Sequence, residues 1–499
     1  MRQERLSGIL CHPTSLPGMN PIGTLGAQAL AFVDFLAAAR QGLWQILPLN
    51  PTGPDGSPYN ARSALAGNPL LIDLERLLAR GLLRDCDLPG NGDSGMAEVD
   101  FAEADAFAEP ALRAAFARFR EMAPSELTTR FLAFRRAQQD WLEDYALFAA
   151  LRKAHAGVPW WGWDDELARR DPAAIDTWRR RLRDEIAYQA FLQFLVDDQW
   201  ATVRRYANAR GVRIIGDIPI YVALDSADVW ANQTLFALTP EGQPSVVAGV
   251  PPDLFSATGQ LWGNPCYRWD VMAEQGYRWW AARFRRALEQ CDLVRLDHFR
   301  GFAAGWQVPA GEETAIGGRW APGPGRAFFE RLAAALGPLP IIVEDLGVIT
   351  DDVHQLRQEL GYPGMKVLQF AFDGTGDNPY LPHNYDPNCV VYTGTHDNDT
   401  TNSWYQSLDS MARAQVDRYL GPHDPDAAWA LLRLAQASVA RSAIAPLQDV
   451  LSLGAEARMN TPGTAECNWR WRYRPGYLTS GLAHRLSELS ECYGRAPRR

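Results

Sequence analysis

Leu293-Val294-Arg295-Leu296-Asp297-His298 is a short apolar run that ends in an acid, and runs of this kind recur along the chain. A run of four to six such residues bounded by polar ones reads as a buried strand. Eight are found: Gly8–Cys11, Trp44–Pro48, Arg213–Asp217, Leu293–Asp297, Ile341–Asp345, Lys366–Ala371, Val390–Thr395 and Asp449–Leu453. Helical patterns lie between them at 27–41, 185–210, 271–290, 326–336, 351–360 and 426–440, and a last one at 482–490 closes the chain. Strands alternating with helices imply a parallel sheet, and eight units imply an α/β fold of the (β/α)8, or TIM, barrel type.

A plain barrel takes about 250 residues, whereas this chain has 499. The excess falls mainly into two insertions, predicted as a helical subdomain over 51–190 and a loop-rich subdomain over 218–269, with the whole chain forming one catalytic domain. Gly90–Asp93 reads as an exposed turn in the first. Long loops that follow barrel strands sit over the face where barrel enzymes do their chemistry.

Composition excludes several classes. Acidic residues outnumber basic ones 59 to 49, so phosphate backbones and anionic lipid are repelled, and neither a nucleic-acid nor a membrane partner is expected. Lys153 and Lys366 are the only lysines. No Walker A loop can form, and Schiff-base chemistry could use only these two; Lys366, read as opening its strand, would lie on the barrel's stability face. The seven cysteines are scattered without a C-x-x-C pair, and the N-terminus lacks an apolar leader segment. A reduced, cytoplasmic protein is expected, either a monomer or a small homo-oligomer. Eighteen tryptophans beside 16 tyrosines and 20 phenylalanines suggest stacking faces for an uncharged ligand.

The chemistry lies in the strand ends. Asp217, Asp297, Glu344 with Asp345, and Asp397 with Asp399 all follow predicted strands, so in a barrel they converge on one mouth. Clustered carboxylates repel one another and are costly to bury, which points to a metal or to acid–base and nucleophilic work. Only His298 and His396 accompany them, without metal-ligand spacing, so no metal and no cofactor is expected. Glycosyl transfer through a covalent intermediate needs two carboxyls about 5–5.5 Å apart, which adjacent strands can supply. Arg295, two residues before Asp297, shares its side of the sheet and can keep that carboxylate ionised as nucleophile. Glu344 then serves as acid and base, its pKa raised by repulsion from Asp297 and Asp397, and Asp397 supports the transition state. Single acids after strands are more often caps or turn residues, as Asp345 and Asp399 are read. His298 and His396 fit either a packed barrel histidine or a substrate contact.

These stretches resemble a known family. Asp297-His298-Phe299-Arg300-Gly301, Val343-Glu344-Asp345-Leu346-Gly347 and Gly394-Thr395-His396-Asp397-Asn398 resemble the motifs of the 4-α-glucanotransferases, the amylomaltase or disproportionating-enzyme family (family 77 of the glycoside hydrolases), related to the α-amylases. His12-Pro13-Thr14-Ser15-Leu16-Pro17-Gly18, Ser57-Pro58-Tyr59, Gly67-Asn68-Pro69-Leu70 and Gly216-Asp217-Ile218-Pro219 are similar to further family segments. The resemblance implies transfer of an α-1,4-glucan segment from a donor to the 4-hydroxyl of glucose or a maltooligosaccharide, with retention. It implies Asp297 as nucleophile, Glu344 as acid/base and Asp397 as stabiliser. Arg295, His396, His298 and Asp217 would contact the sugar or hold the carboxylates. Ser57 and Tyr59 would belong to the donor side, Asp253 and Trp262 to an acceptor loop over 249–265, and Asn468 to a sugar contact. Two departures stand out: Leu254 where relatives carry an aromatic, and Cys467 where Gly is usual. A hydrolase using the same carboxylates is the alternative.

Overall fold

The computed structural model describes residues 4–90, 98–121, 125–252, 256–421, 424–464 and 466–498. Twelve strands are found among them: β1 (Leu6–Leu10), β2 (Leu43–Gln45), β3 (Arg213–Ile218), β4 (Val246–Val250), β5 (Gln260–Pro265), β6 (Leu293–Leu296), β7 (Ala304–Pro309), β8 (Arg319–Pro322), β9 (Ile341–Val343), β10 (Gly364–Val367), β11 (Cys389–Tyr392) and β12 (Ser442–Pro446). Eight pair in parallel in the order β10-β11-β12-β1-β2-β3-β6-β9. The Val343 N–H donates to Pro363 O, just before β10, at 3.0 Å, and closes the sheet into a barrel with helices outside it. The strands are almost wholly buried, as parallel strands covered by helices must be.

Seven of the eight predicted strands lie at or within a few residues of these elements. The eighth does not. Asp449–Leu453 has the alternation of a strand but falls at the end of the short helix Leu447–Val450 and in the turn after it, while the true eighth strand is β12. The long helical pattern at 271–290 is broken in two, Trp269–Glu274 and Arg278–Gln290, by left-handed backbone at Gly276 (φ 64°) and Tyr277 (φ 53°). Lys366 is the third residue of β10 instead of its start, with Nζ 5.3 Å from the Tyr380 ring.

The segment 51–190 carries helices including Phe101–Glu121, Glu126–Ala137, Gln139–Ala154 and Pro172–Arg181, and the long helix Arg183–Ala209 runs from its end back to β3. Stacked phenylalanines join it to that helix, with Phe119 and Phe191 centroids 4.8 Å apart. The 218–269 segment is less loop-like than its composition suggests. It contributes β4 and β5 to an antiparallel sheet of order β5-β4-β7-β8, completed by two strands from the segment after β6. Gly90–Asp93 runs, from residue 91 on, outside the described residues, as do Asp253 and Leu254.

Most tryptophans do structural work. Trp44, Trp160, Trp163 and Trp280 are buried, and the Trp44 indole N–H donates to Cys11 O at 2.8 Å. Trp262 is 37% exposed.

Candidate active site

Register places the first pair. β3 and β6 align Asp217 opposite Arg295, so both side chains point to the same side. The Arg295 Nη1 donates to Asp217 Oδ1 and Oδ2 at 2.9 and 2.7 Å. Close approach here depends on Gly216, where a Cβ would come within 2.7 Å of Cys291 Sγ. The same guanidinium lies 3.0 Å from Asp297 Oδ1 and 3.8 Å from Glu344 Oε2. One buried cation therefore faces three carboxyl groups. Burial works against the Arg295 charge, but Asp217 and Asp297 outweigh it and hold the group firmly protonated.

Asp217 accepts a second bond from the Tyr59 hydroxyl at 2.7 Å, and its side chain has no exposed surface. It anchors Arg295 and Tyr59 and does not reach the open mouth. The side chains of Asp297 and Glu344 keep 24% and 17% of their surface exposed, so these two can meet a ligand.

Glu344 is set by the turn after β6. His298 has left-handed backbone (φ 46°), which aims its N–H at Glu344 Oε2, 2.5 Å away. Burial and then the Asp297 charge push the Glu344 carboxyl up to about 8, against the opposing pull of Arg295 and the His298 N–H. Burial, more than the like-charge repulsion anticipated from sequence, is the main cause. Burial also outweighs Asp297 at the His298 imidazole and pushes it down to about 4, so that ring is neutral at pH 7. The Trp262 ring stands edge-on to it, with centroids 4.8 Å apart.

Asp397 approaches from the loop after β11. Its Oδ1 accepts from Asn460 Nδ2 at 2.6 Å and lies 3.4 Å from His396 Nε2. His396 stacks on Tyr59 at 5.1 Å and 13° between planes, and Trp469 leans on both rings. Ser57 Oγ accepts from the Tyr59 N–H at 3.3 Å and shapes that loop. Asn468 is engaged within its own segment, accepting from Thr461 N at 2.9 Å and donating to Thr464 O at 2.9 Å.

Asp345 accepts from Met365 N at 2.7 Å and pairs with Arg357 at 3.2 Å, tying β9 to β10. Asp399 accepts from Thr400 N and from Ser403 Oγ at 2.8 and 2.7 Å, at the start of the helix Thr401–Ser407. Both are structural. Sequence reading missed Asn460 and Arg458, whose Nη2 donates to Asp397 O at 3.0 Å; no local pattern marks either. Trp306 packs in the small sheet, its N–H donating to Ala315 O at 2.8 Å. Among the described residues no group of His, Cys, Asp or Glu is arranged to hold a metal ion.

A (β/α)8 barrel with ionisable carboxyls facing the C-terminal mouth defines a barrel enzyme working through acid–base and nucleophilic groups. The family profile described as 4-alpha-glucanotransferase, glycoside hydrolase family 77, matches residues 11–479. A 4-alpha-glucanotransferase of Synechocystis sp. is 52% identical, covering 99% of each chain, and one of Thermus thermophilus is 49% identical, covering 99% of this chain and all of its own. The amylomaltase from Streptococcus agalactiae, solved in complex with acarbose, superposes with a TM-score of 0.94 at 39% identity, covering 99% of this chain and 100% of its own. The chain belongs to the 4-α-glucanotransferase family.

Proposed function

We propose that the protein moves a segment of an α-1,4-glucan onto the 4-hydroxyl of glucose or another glucan by double displacement. The carrying observation is that Asp297 and Glu344, both open to the mouth, sit against one guanidinium while their environments differ. Asp297 attacks the anomeric carbon as the protonated Glu344 gives its proton to the leaving glucan oxygen. The resulting ester removes the Asp297 charge, which had helped raise the Glu344 pKa. Glu344, having given up its proton, is thereby kept ionised and deprotonates the acceptor hydroxyl as it attacks. Asp397 grips sugar hydroxyls and favours the positive charge developing on the ring. Arg295 pairs with Asp297 at 3.0 Å, and Asp217 and Tyr59 hold Arg295.

Tyr59, His396 and Trp469 supply stacked rings for the donor side, and Trp262, beside His298, supplies a face for the acceptor. Asp253 and Asn468 are assigned to sugar contacts by the family resemblance alone. Substrates are uncharged, which suits a chain of net charge −10. No helix among the described residues is long and apolar enough to cross a membrane, and the seven cysteines, all free, favour a reducing cytoplasm.

Maltotriose tests the reaction. Wild type should build a ladder of longer maltooligosaccharides, and Asp297→Asn and Glu344→Gln should lose it. Products limited to glucose and maltose would mean hydrolysis, and undiminished transfer by either variant would remove that residue from its role.

A further inference from the structure

Residues 458–460 are sewn onto the turn that carries Asp397. Asn460 Nδ2 donates to the Asp397 carboxylate at 2.6 Å. The Asn460 N–H donates to His396 O at 3.1 Å. Arg458 bridges the two strands of chain, with Nη2 on Asp397 O at 3.0 Å and Nε on Asn460 O at 2.9 Å. Further on, the Trp469 N–H donates to Met459 O at 2.7 Å, which folds the segment back so that Trp469 meets Tyr59 and His396. A merely structural tie would need only the backbone bonds. The side-chain amide of Asn460 instead occupies one oxygen of the carboxylate and leaves the other, in a side chain 44% exposed, for a ligand.

The geometry points to Asn460 as the positioning residue of Asp397: its amide fixes the carboxylate's rotamer so that the free oxygen faces the sugar, and Arg458 fixes the backbone beneath it. The inference rests on Asp397 acting as the stabilising carboxylate. An amide suits this task because it donates without a charge and does not titrate. The ionisable groups facing Asp397 are His396, 3.4 Å away, and Tyr59 and Glu344, both of which feel its charge, with Arg458 on its carbonyl.

Three variants test this with maltotriose, namely Asn460→Ala, Asn460→Asp and Asp397→Asn. Asn460→Ala frees the carboxylate to rotate, and kcat should fall by about tenfold or more, with donor KM changed less than about threefold, because the interaction belongs to the transition state. Asn460→Asp is nearly isosteric. Two carboxyls at this distance share one proton at lower pH, and the protonated one donates as the amide did; once both ionise, repulsion displaces Asp397. This variant should therefore be active on the acid side and lose activity at least about one pH unit below the wild-type alkaline limb. Asn460→Ala with kcat within about twofold of wild type, while Asp397→Asn is inactive, overturns the inference and spares the role of Asp397. An active Asp397→Asn overturns that role, and this inference with it. If Asn460→Ala does not fold, the Asn460→Asp profile decides, and a wild-type alkaline limb overturns the proposal.

Discussion

A carboxyl that titrates near 8 has consequences for both rate and stability. As the proposed general acid, Glu344 has to be protonated to release the first glucan, so kcat/KM for donor should fall as pH rises through about 8. A wild-type profile that stays flat from pH 7 to 9 would mean that the proton on Glu344 does not limit the rate. An unfolded glutamate titrates near about 4.3, so between that value and about 8 the native protein holds a proton that the unfolded chain has lost. Native stability from this group therefore falls as pH rises across that window, and the full cost is felt above it. Glu344→Gln removes the titration. It should raise Tm at pH 9 by at least about 2 °C and give no gain at pH 4, measured by calorimetry at both pH values; an equal gain at both would point to packing instead of charge. The ordering of these groups was only partly legible in the sequence. The acids and Arg295 could be placed from strand spacing, but the burial of Glu344 and the left-handed turn at His298 arise from packing between loops far apart in the chain. Cys467 shows the same limit. Its φ of 63° is a backbone state that glycine adopts freely, a geometry invisible in the residue's identity.

At the scale of elements, errors follow from what defines a strand. Ser442-Ala443-Ile444-Ala445-Pro446 has small residues and a terminal proline, a poor strand by propensity. It becomes β12 because it fits between β1 and β11, pairing with both in register, where buried neighbours on either side leave room for little more than alanine. Asp449, read as the start of a strand, is a buried tie. It accepts from Thr393 Oγ1 at 2.5 Å, and from the N–H and Oγ1 of Thr401 at 2.7 Å each, joining the end of β11 to the helix Thr401–Ser407. Asp449→Ala leaves three buried donors without an acceptor and should cost about 3 kcal/mol in denaturant unfolding; a loss below about 1 kcal/mol would mean that water replaces it. The small sheet escaped sequence reading because β7 and β8 pair across a loop and β7 also pairs with β4 from another segment. Its β5 nevertheless carries Trp262 to His298. Trp262→Ala should raise the KM for acceptor glucose about tenfold, or about 1.4 kcal/mol, and increase hydrolysis, with donor KM little changed. An unaltered ratio of transfer to hydrolysis would remove Trp262 from the acceptor side.

For the whole molecule the critical join is the seam where β1 pairs with β12, beside which Arg5 and Arg495 both lie. Arg495 is fully buried, and its guanidinium donates to Gln436 O, Leu6 O, Ser438 O and Ala440 O at 2.7–3.2 Å. Leu6 opens β1, and residues 436–440 lead into β12, so one side chain from the C-terminus bridges both sides of the seam. Arg5 donates to Gln436 O and Ser438 O from the N-terminus, and Ser490 Oγ meets Ser7 Oγ at 3.0 Å. This lies at the N-terminal ends of the strands, opposite the mouth, where a barrel invests in stability. The rigid fork of arginine matches four carbonyls as an ammonium cannot, so Arg495→Lys should be almost as damaging as Arg495→Ala. Either should unfold at a Tm lower by about 5 °C or more, the consequence of leaving buried carbonyls unpaired. Transfer measured at 25 °C, well below that transition, should keep its wild-type kcat and KM, because Asp297, Glu344 and Asp397 are carried at the other end of the strands. A variant that kept its Tm but lost kcat would show instead that the seam communicates with the mouth.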